Sequence, residues 1–109
     1  MTQELPKSVE LYFSGKNERD FARAVSGFSH TAVARDEAQD YRGPAAIRAW
    51  MEETFARYAD IAEVESFSSA DDRVDVVAAV SGTFPGSPIR LRFSFTLADD
   101  LITRLEIAP

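Results

Sequence analysis

Asp36 is the residue whose type and position come closest to catalytic chemistry. It ends a short β-prone segment, residues 31–36, and is followed by a turn and then by a helix that Gly43 and Pro44 open. A carboxyl group has an ordinary pKa of about 3.9, which makes it a poor base near neutral pH. An apolar pocket would raise that pKa and aim the carboxylate at an acidic C–H bond. In the alternative interpretation, Asp36 only ends the strand and hydrogen-bonds its own turn.

Several aromatic side chains are candidates for lining a pocket that takes an apolar ligand. The candidate ligand-binding residues are Tyr12, Trp50, Tyr58, Phe67, Phe84 and Phe93. For most of them the alternative is ordinary core packing, since aromatic residues at helical or strand spacing usually face the interior. Trp50 and Tyr58 are the stronger pocket candidates, because their N–H and O–H groups need partners when buried. The lone histidine, His30, is expected to face solvent or to cap a helix end.

Composition excludes several classes of function. The 109 residues suit one domain, residues 1–109, and 12 basic against 18 acidic residues give a net charge of -6. This charge argues against a nucleic-acid partner and against anionic membrane surfaces. With no cysteine and one histidine, we expect no disulfide, no metal site and no cofactor. No segment has the length of a signal peptide or a membrane span, so we expect a cytoplasmic protein.

Three helices are predicted to position these residues. Helical spacing begins at Leu5, and Gly15 is expected to stop the first helix. Asn17 is a plausible N-cap for a short second helix that ends near Gly27. After the strand into Asp36 and a small hairpin, the third helix begins at Pro44, and it carries an apolar face that includes Trp50 and Tyr58.

After Asp60 the apolar period changes from helical to two, which is typical of strands. Four strands are predicted, over residues 61–68, 73–84, 89–97 and 101–107, with turns at 85–88 and 98–100. This order predicts an α+β fold, cone-like, with three N-terminal helices packed on a curved, mainly antiparallel β-sheet.

Specific segments strengthen this prediction. The segments FSGKN, DFARAVSGFS, YRGPAAIRAW, GTFPGSPIRLRFSFTL and LITRLEIAP are spread over nearly the whole chain. Together they resemble the nuclear transport factor 2-like superfamily, and within it the SnoaL-like polyketide cyclase and ketosteroid isomerase group. The resemblance implies a cone with an apolar pocket and a homodimer formed through the sheet. It also implies that Asp36 matches the general-base aspartate of those enzymes.

The oxyanion-stabilising groups of ketosteroid isomerases match less well. Their late-strand donor position falls near Phe93, which has no donor, and Tyr12 lies a few residues beyond the position of their first-helix tyrosine. Steroid isomerase activity is therefore not expected. Because the superfamily is one fold with many activities, the resemblance does not select one.

Two functions stay open. In the first, the protein binds a small apolar molecule, and Asp36 transfers a proton in isomerase-like or cyclase-like chemistry. In the second, it is a non-catalytic dimerisation or accessory module whose pocket is filled by its own side chains. The absence of an extension after Pro109 that would close the cone favours the second.

Overall fold

Residues 4–109 are described by a computed structural model. They form three helices and six strands: α1 Lys7–Glu18, α2 Phe21–Val25, β1 Phe28–Asp36, β2 Gln39–Arg42, α3 Pro44–Tyr58, β3 Ile61–Ala70, β4 Arg73–Ser81, β5 Ile89–Ala98 and β6 Leu101–Ala108. None of the helices in this part of the chain combines the length and the apolar character needed to cross a bilayer.

All six strands belong to one sheet, in the order β2-β1-β6-β5-β4-β3. The β1–β6 pair is parallel, and the other four pairs are antiparallel. The α+β class and the mainly antiparallel sheet are thereby confirmed. One detail needs correction, since the three helices are not an N-terminal group: the β1–β2 hairpin lies between α2 and α3.

Two helix boundaries differ from the prediction: the C-terminal end of α1 and the N-terminal start of α2. Helix α1 continues through Gly15 to Glu18 and ends where Arg19 adopts the left-handed conformation. A Cβ on Gly15 would lie 2.6 Å from the backbone nitrogen of Ala24, so this glycine permits close packing of α2 rather than ending α1. The N-cap of α2 is Asp20, whose side chain accepts a hydrogen bond from the Arg23 N–H, and not Asn17.

The core lies between the helices and one face of the sheet. In β4 the alternate residues Val74, Val76, Ala78 and Val80 are buried, as the period of two predicts. The Tyr12 ring of α1 packs edge-on against Phe95, with centroids 5.6 Å apart, and lies 6.2 Å from Phe93. Helix α3 buries Ile47, Trp50 and Met51 on the same side. This packing fixes the position of α1 over strands β5 and β6.

Candidate functional site

A cavity of about 580 Å³ opens between α1, α3 and the helix-facing side of the sheet. Its size falls in the range of small-molecule sites. Predicted site residues that line it are Tyr12, Asp36, Trp50, Tyr58, Phe84 and Phe93. Most of the remaining wall is apolar and includes Met51, Val80, Ile89, Leu91 and Ile107. The structure thus brings together residues from both ends of the chain around one space.

Phe67 lies elsewhere. It pairs with Val76 across the β3–β4 hairpin, whereas Val80, four residues further along β4, lines the cavity. Phe67 is half-buried and packs against the hydrophobic core. His30 is exposed on β1 and does not line the cavity either. Strand periodicity identified the face on which Phe67 lies but not how far along the strand the cavity extends.

Asp36 is held at the cavity by the turn of the β1–β2 hairpin. The register pairs Asp36 with Gln39, which leaves Glu37 and Ala38 as a two-residue turn. Both turn residues have positive φ, 52° and 65°, as a type I′ turn requires. Since neither is glycine or asparagine, the turn holds backbone strain of about 1 to 2 kcal/mol per residue. The strained turn sets where the last residue of β1 projects.

Burial raises the pKa of the Asp36 carboxyl, and the neighbouring Glu37 carboxylate raises it further. The Trp50 indole N–H, the Lys16 ammonium and the Glu37 backbone N–H favour the charged form and oppose this rise. Desolvation is the largest of these effects. A half-buried carboxylate with a raised pKa that faces an apolar cavity is better suited to accept a proton than an exposed aspartate. This environment is the one that the general-base prediction requires of Asp36, and the bond from the Glu37 N–H is the one that the strand-end alternative requires.

Tyr12 faces the same cavity as Asp36. Tyr12 is 1% exposed, and none of the side-chain hydrogen bonds among residues 4–109 involves its hydroxyl. Burial and the negative charges of Asp60 and Asp36 raise the pKa of Tyr12 far above its usual value. The hydroxyl therefore keeps its proton and is available as a donor. The resemblance left Tyr12 out of register with the tyrosine of ketosteroid isomerases, but the structure places it on the wall of the same cavity as Asp36.

Lys16 and Asp60 form a buried ion pair in the cavity wall that sequence reasoning missed. Lys16 lies one turn after Tyr12 on α1, and Asp60 follows α3. Lys16 Nζ donates to Asp60 Oδ2, and the side chains are 10% and 8% exposed. Spacing could have revealed the lysine, because Val9, Tyr12 and Lys16 share one face of α1. Ending the predicted helix at Gly15 hid that relation.

Asn17 fastens the end of α1 to the sheet beside this ion pair. Its side-chain amide donates to the Ala62 carbonyl at 2.7 Å and accepts from the Ala62 N–H at 2.9 Å. These two bonds join residues 45 positions apart in sequence. They attach α1 to β3 one residue after Lys16 and two residues after Asp60.

Aromatic pairs shape two sides of the cavity. Tyr41 of β2 stacks on Trp50 with ring centroids 5.4 Å apart and an interplanar angle of 21°. Tyr58 meets Phe84 edge-on at 5.8 Å, and the Thr83 N–H donates to the Tyr58 carbonyl at 2.8 Å. The segment after β4 is thus attached to the end of α3. Among residues 4–109, no three His, Cys, Asp or Glu side chains converge in a way that could hold a metal ion.

Comparisons with known proteins agree with this fold. The family model described as a SnoaL-like domain matches residues 9–105. A solved structure from Sinorhizobium meliloti, named as a candidate polyketide cyclase, is 36% identical, covers 95% of each chain and superposes with a TM-score of 0.92. A protein from Sphaerobacter thermophilus is 25% identical over 93% of this chain and 91% of its own, with a TM-score of 0.80.

A third structure, from Catenulispora acidiphila, is a hypothetical protein with a ketosteroid isomerase-like fold in complex with trimethylamine. It is 17% identical over 97% of this chain and 87% of its own, with a TM-score of 0.85. At this identity the likeness concerns the fold alone. Comparison with curated proteins gives no significant match.

Proposed function

The chain belongs to the SnoaL-like domain family of the nuclear transport factor 2-like superfamily, and we propose that it binds a small apolar molecule in its cavity and transfers a proton on it. Asp36 is the proposed base. The observation that carries this proposal is the placement of a carboxylate with a raised pKa, Asp36, and a buried tyrosine, Tyr12, on the wall of the same largely apolar cavity.

The proposed step is the removal of a proton from a carbon next to a carbonyl group. Asp36 takes the proton, and Tyr12 donates a hydrogen bond to the carbonyl oxygen as that oxygen gains negative charge. Because the cavity wall is mostly apolar, each of these interactions is stronger there than in bulk water. A positioned general base of this kind contributes about 10²- to 10⁴-fold to the rate.

Cyclase chemistry fits the same step. The Sinorhizobium meliloti relative is named as a candidate polyketide cyclase. Ring closure by an aldol-type step also begins with loss of a proton from a carbon next to one carbonyl group, and that carbon then attacks a second, more distant carbonyl carbon of the same chain. The proposed substrate class is therefore an enolisable carbonyl compound with an apolar body.

Hydrogen exchange tests this proposal without knowledge of the natural substrate. The protein is incubated in D₂O with a small apolar ketone, 2-tetralone, and deuterium uptake at the acidic carbon is measured by mass spectrometry. Binding is followed separately through Trp50, the single tryptophan and a residue of the cavity wall. We expect Asp36→Asn to bind the ketone as before and to lose the exchange above background.

The matched control is Asp99→Asn, the same change of charge at an exposed turn residue. It is expected to exchange at the original rate. Equal exchange rates in Asp36→Asn and the original protein would rule out Asp36 as the base.

The open cavity supports ligand binding over the alternative of an accessory module with a filled pocket. Homodimer formation through the sheet and a cytoplasmic location stay predictions. Light scattering of the purified protein at several concentrations would test the first of these.

A further inference from the structure

The ion pair between Lys16 and Asp60 has no part in the proton transfer proposed above, yet it lines the same cavity. Both side chains are about nine-tenths buried. Moving two charges out of water is costly, and a buried pair often contributes no more stability than apolar residues of similar volume. Its position in an otherwise largely apolar wall points to a role toward a ligand.

The hydrogen bonds of the pair leave capacity for a ligand. A lysine ammonium group has three donors, and in the described part of the chain Lys16 Nζ uses one, to Asp60 Oδ2. Asp60 Oδ1 is buried and has no hydrogen-bond partner there. Asp60 and the two hydrogen bonds between Asn17 and Ala62 therefore restrain Lys16. Two of the Lys16 N–H groups are left to donate to a bound molecule.

The position of the Lys16 ammonium in the cavity wall favours a negatively charged group on a bound ligand. Lys16 is close enough to Asp36 to favour its charged form, and Asp36 and Asp60 both act on Tyr12. The ammonium, the tyrosine hydroxyl and the proposed base thus surround one space. An oxygen placed there between Lys16 and Tyr12 would meet two donors.

We propose that Lys16, oriented by Asp60, holds the oxygen of the ligand that carries negative charge in the bound state. This inference rests on the proposed function. When the C–H bond breaks, its proton goes to Asp36, its electron pair forms the new C=C bond, and the carbonyl electron pair moves onto the oxygen. The negative charge passes from Asp36 to that oxygen, so the net charge of the cavity is unchanged. Lys16 supplies the cationic donor that Phe93 cannot supply.

A coloured phenol tests this assignment without any turnover. The probe is 4-nitrophenol, whose ionised form absorbs visible light, and it is bound to the Asp36→Asn protein, in which residue 36 is neutral as it is after proton transfer. The comparison protein carries Lys16→Met and Asp60→Asn as well, so that no unpaired charge is buried. We expect the bound probe to be half-ionised at a pH about 1 to 3 units lower in Asp36→Asn than in the triple variant.

If the triple variant does not fold, a double variant that keeps Lys16 gives the same test. In Asp36→Asn with Asp60→Asn, the probe takes the place of Asp60 as the anion that pairs with Lys16, and its half-ionisation pH is expected to fall further, while the Glu37 carboxylate of the cavity wall is the same in every variant. A purely structural ion pair would change the urea midpoint of these variants but not the ionisation of the probe. The proposal is overturned if the half-ionisation pH does not respond to these changes, or if the probe does not bind to Asp36→Asn.

These outcomes are separable from those of the exchange experiment. Exchange that survives Asp36→Asn rejects the proposed base but leaves the probe result meaningful. If Asp36→Asn loses exchange but the half-ionisation pH of the probe does not depend on Lys16, only the anion-holding role of Lys16 is rejected.

Discussion

Replacing Lys16 with methionine is expected to destabilise the protein strongly. Asp60 Oδ1 already lacks a hydrogen-bond partner among residues 4–109, and Lys16 is the one partner of Oδ2. The substitution keeps the length of the side chain and removes its charge, so it leaves an 8% exposed carboxylate unpaired. Breaking a buried pair in this way costs about 3 to 5 kcal/mol. For a domain of this size, that corresponds to a fall in Tm of about 12 to 20 °C.

Urea unfolding at pH 7, followed by the fluorescence of Trp50, measures this loss. A double-mutant cycle with Asp60→Asn separates the charge effect from lost packing. The double variant Lys16→Met/Asp60→Asn is expected to recover most of the loss, because neither side chain then buries an uncompensated charge. An additive cycle, or a Lys16→Met protein within about 1 kcal/mol of the original, would refute the reasoning.

Lys7→Met is the matched control on the same helix. Lys7 faces Glu10 at 3.5 Å, but its side chain is 81% exposed. Because exposed pairs of this kind contribute about 0 to 1 kcal/mol, the control is expected to unfold at nearly the original urea concentration.

Three further outcomes follow from the geometry. Ala38→Gly is expected to raise the free energy of unfolding by roughly 1 kcal/mol in urea titrations, since glycine adopts the φ of 65° without strain, and an unchanged midpoint would contradict it. Gly15→Ala is expected to lower it by about 1 to 3 kcal/mol, because the added Cβ meets the Ala24 backbone, and a neutral result would mean that the helices separate freely. The pKa of Asp36 is raised in the folded state, so the folded protein binds that proton more tightly than the unfolded chain. Urea titrations from pH 3 upward should therefore show Asp36→Asn gaining stability relative to the original as pH rises from about 3.9 through the raised pKa. A constant difference would contradict the assigned burial effect.

Strands and the long helix could be predicted because their signals are local. Alternate burial in β4 and the start of α3 at Pro44 depend on the period of apolar residues and on a proline that suits a first turn. Boundaries that depend on distant contacts could not be predicted. Gly15 resembles a helix stop, but it is a contact point for Ala24. Asn17 resembles a cap, but its amide bonds to Ala62 on another element.

The candidate site also has parts that local sequence signals could predict and parts that depend on distant contacts. From the sequence alone, Asp36 could be placed at the end of a strand, and the aromatic residues could be assigned to apolar faces. Packing brought Phe84 to the cavity and left Phe67 outside it, because periodicity specifies a face but not a position along it. No local pattern indicates which apolar residues surround an open space.

What the sequence by itself determined is therefore the α+β class, the inward periodicity of its strands and the hairpin that ends β1 at Asp36. Only the tertiary structure decided that Lys16 and Asp60, 44 residues apart, meet beside Tyr12 and Asp36 on one cavity wall. The physical reason is that burial and the field of neighbouring charges depend on residues from every element around a point. An ionisable side chain acquires its chemistry from that environment and not from its sequence neighbours.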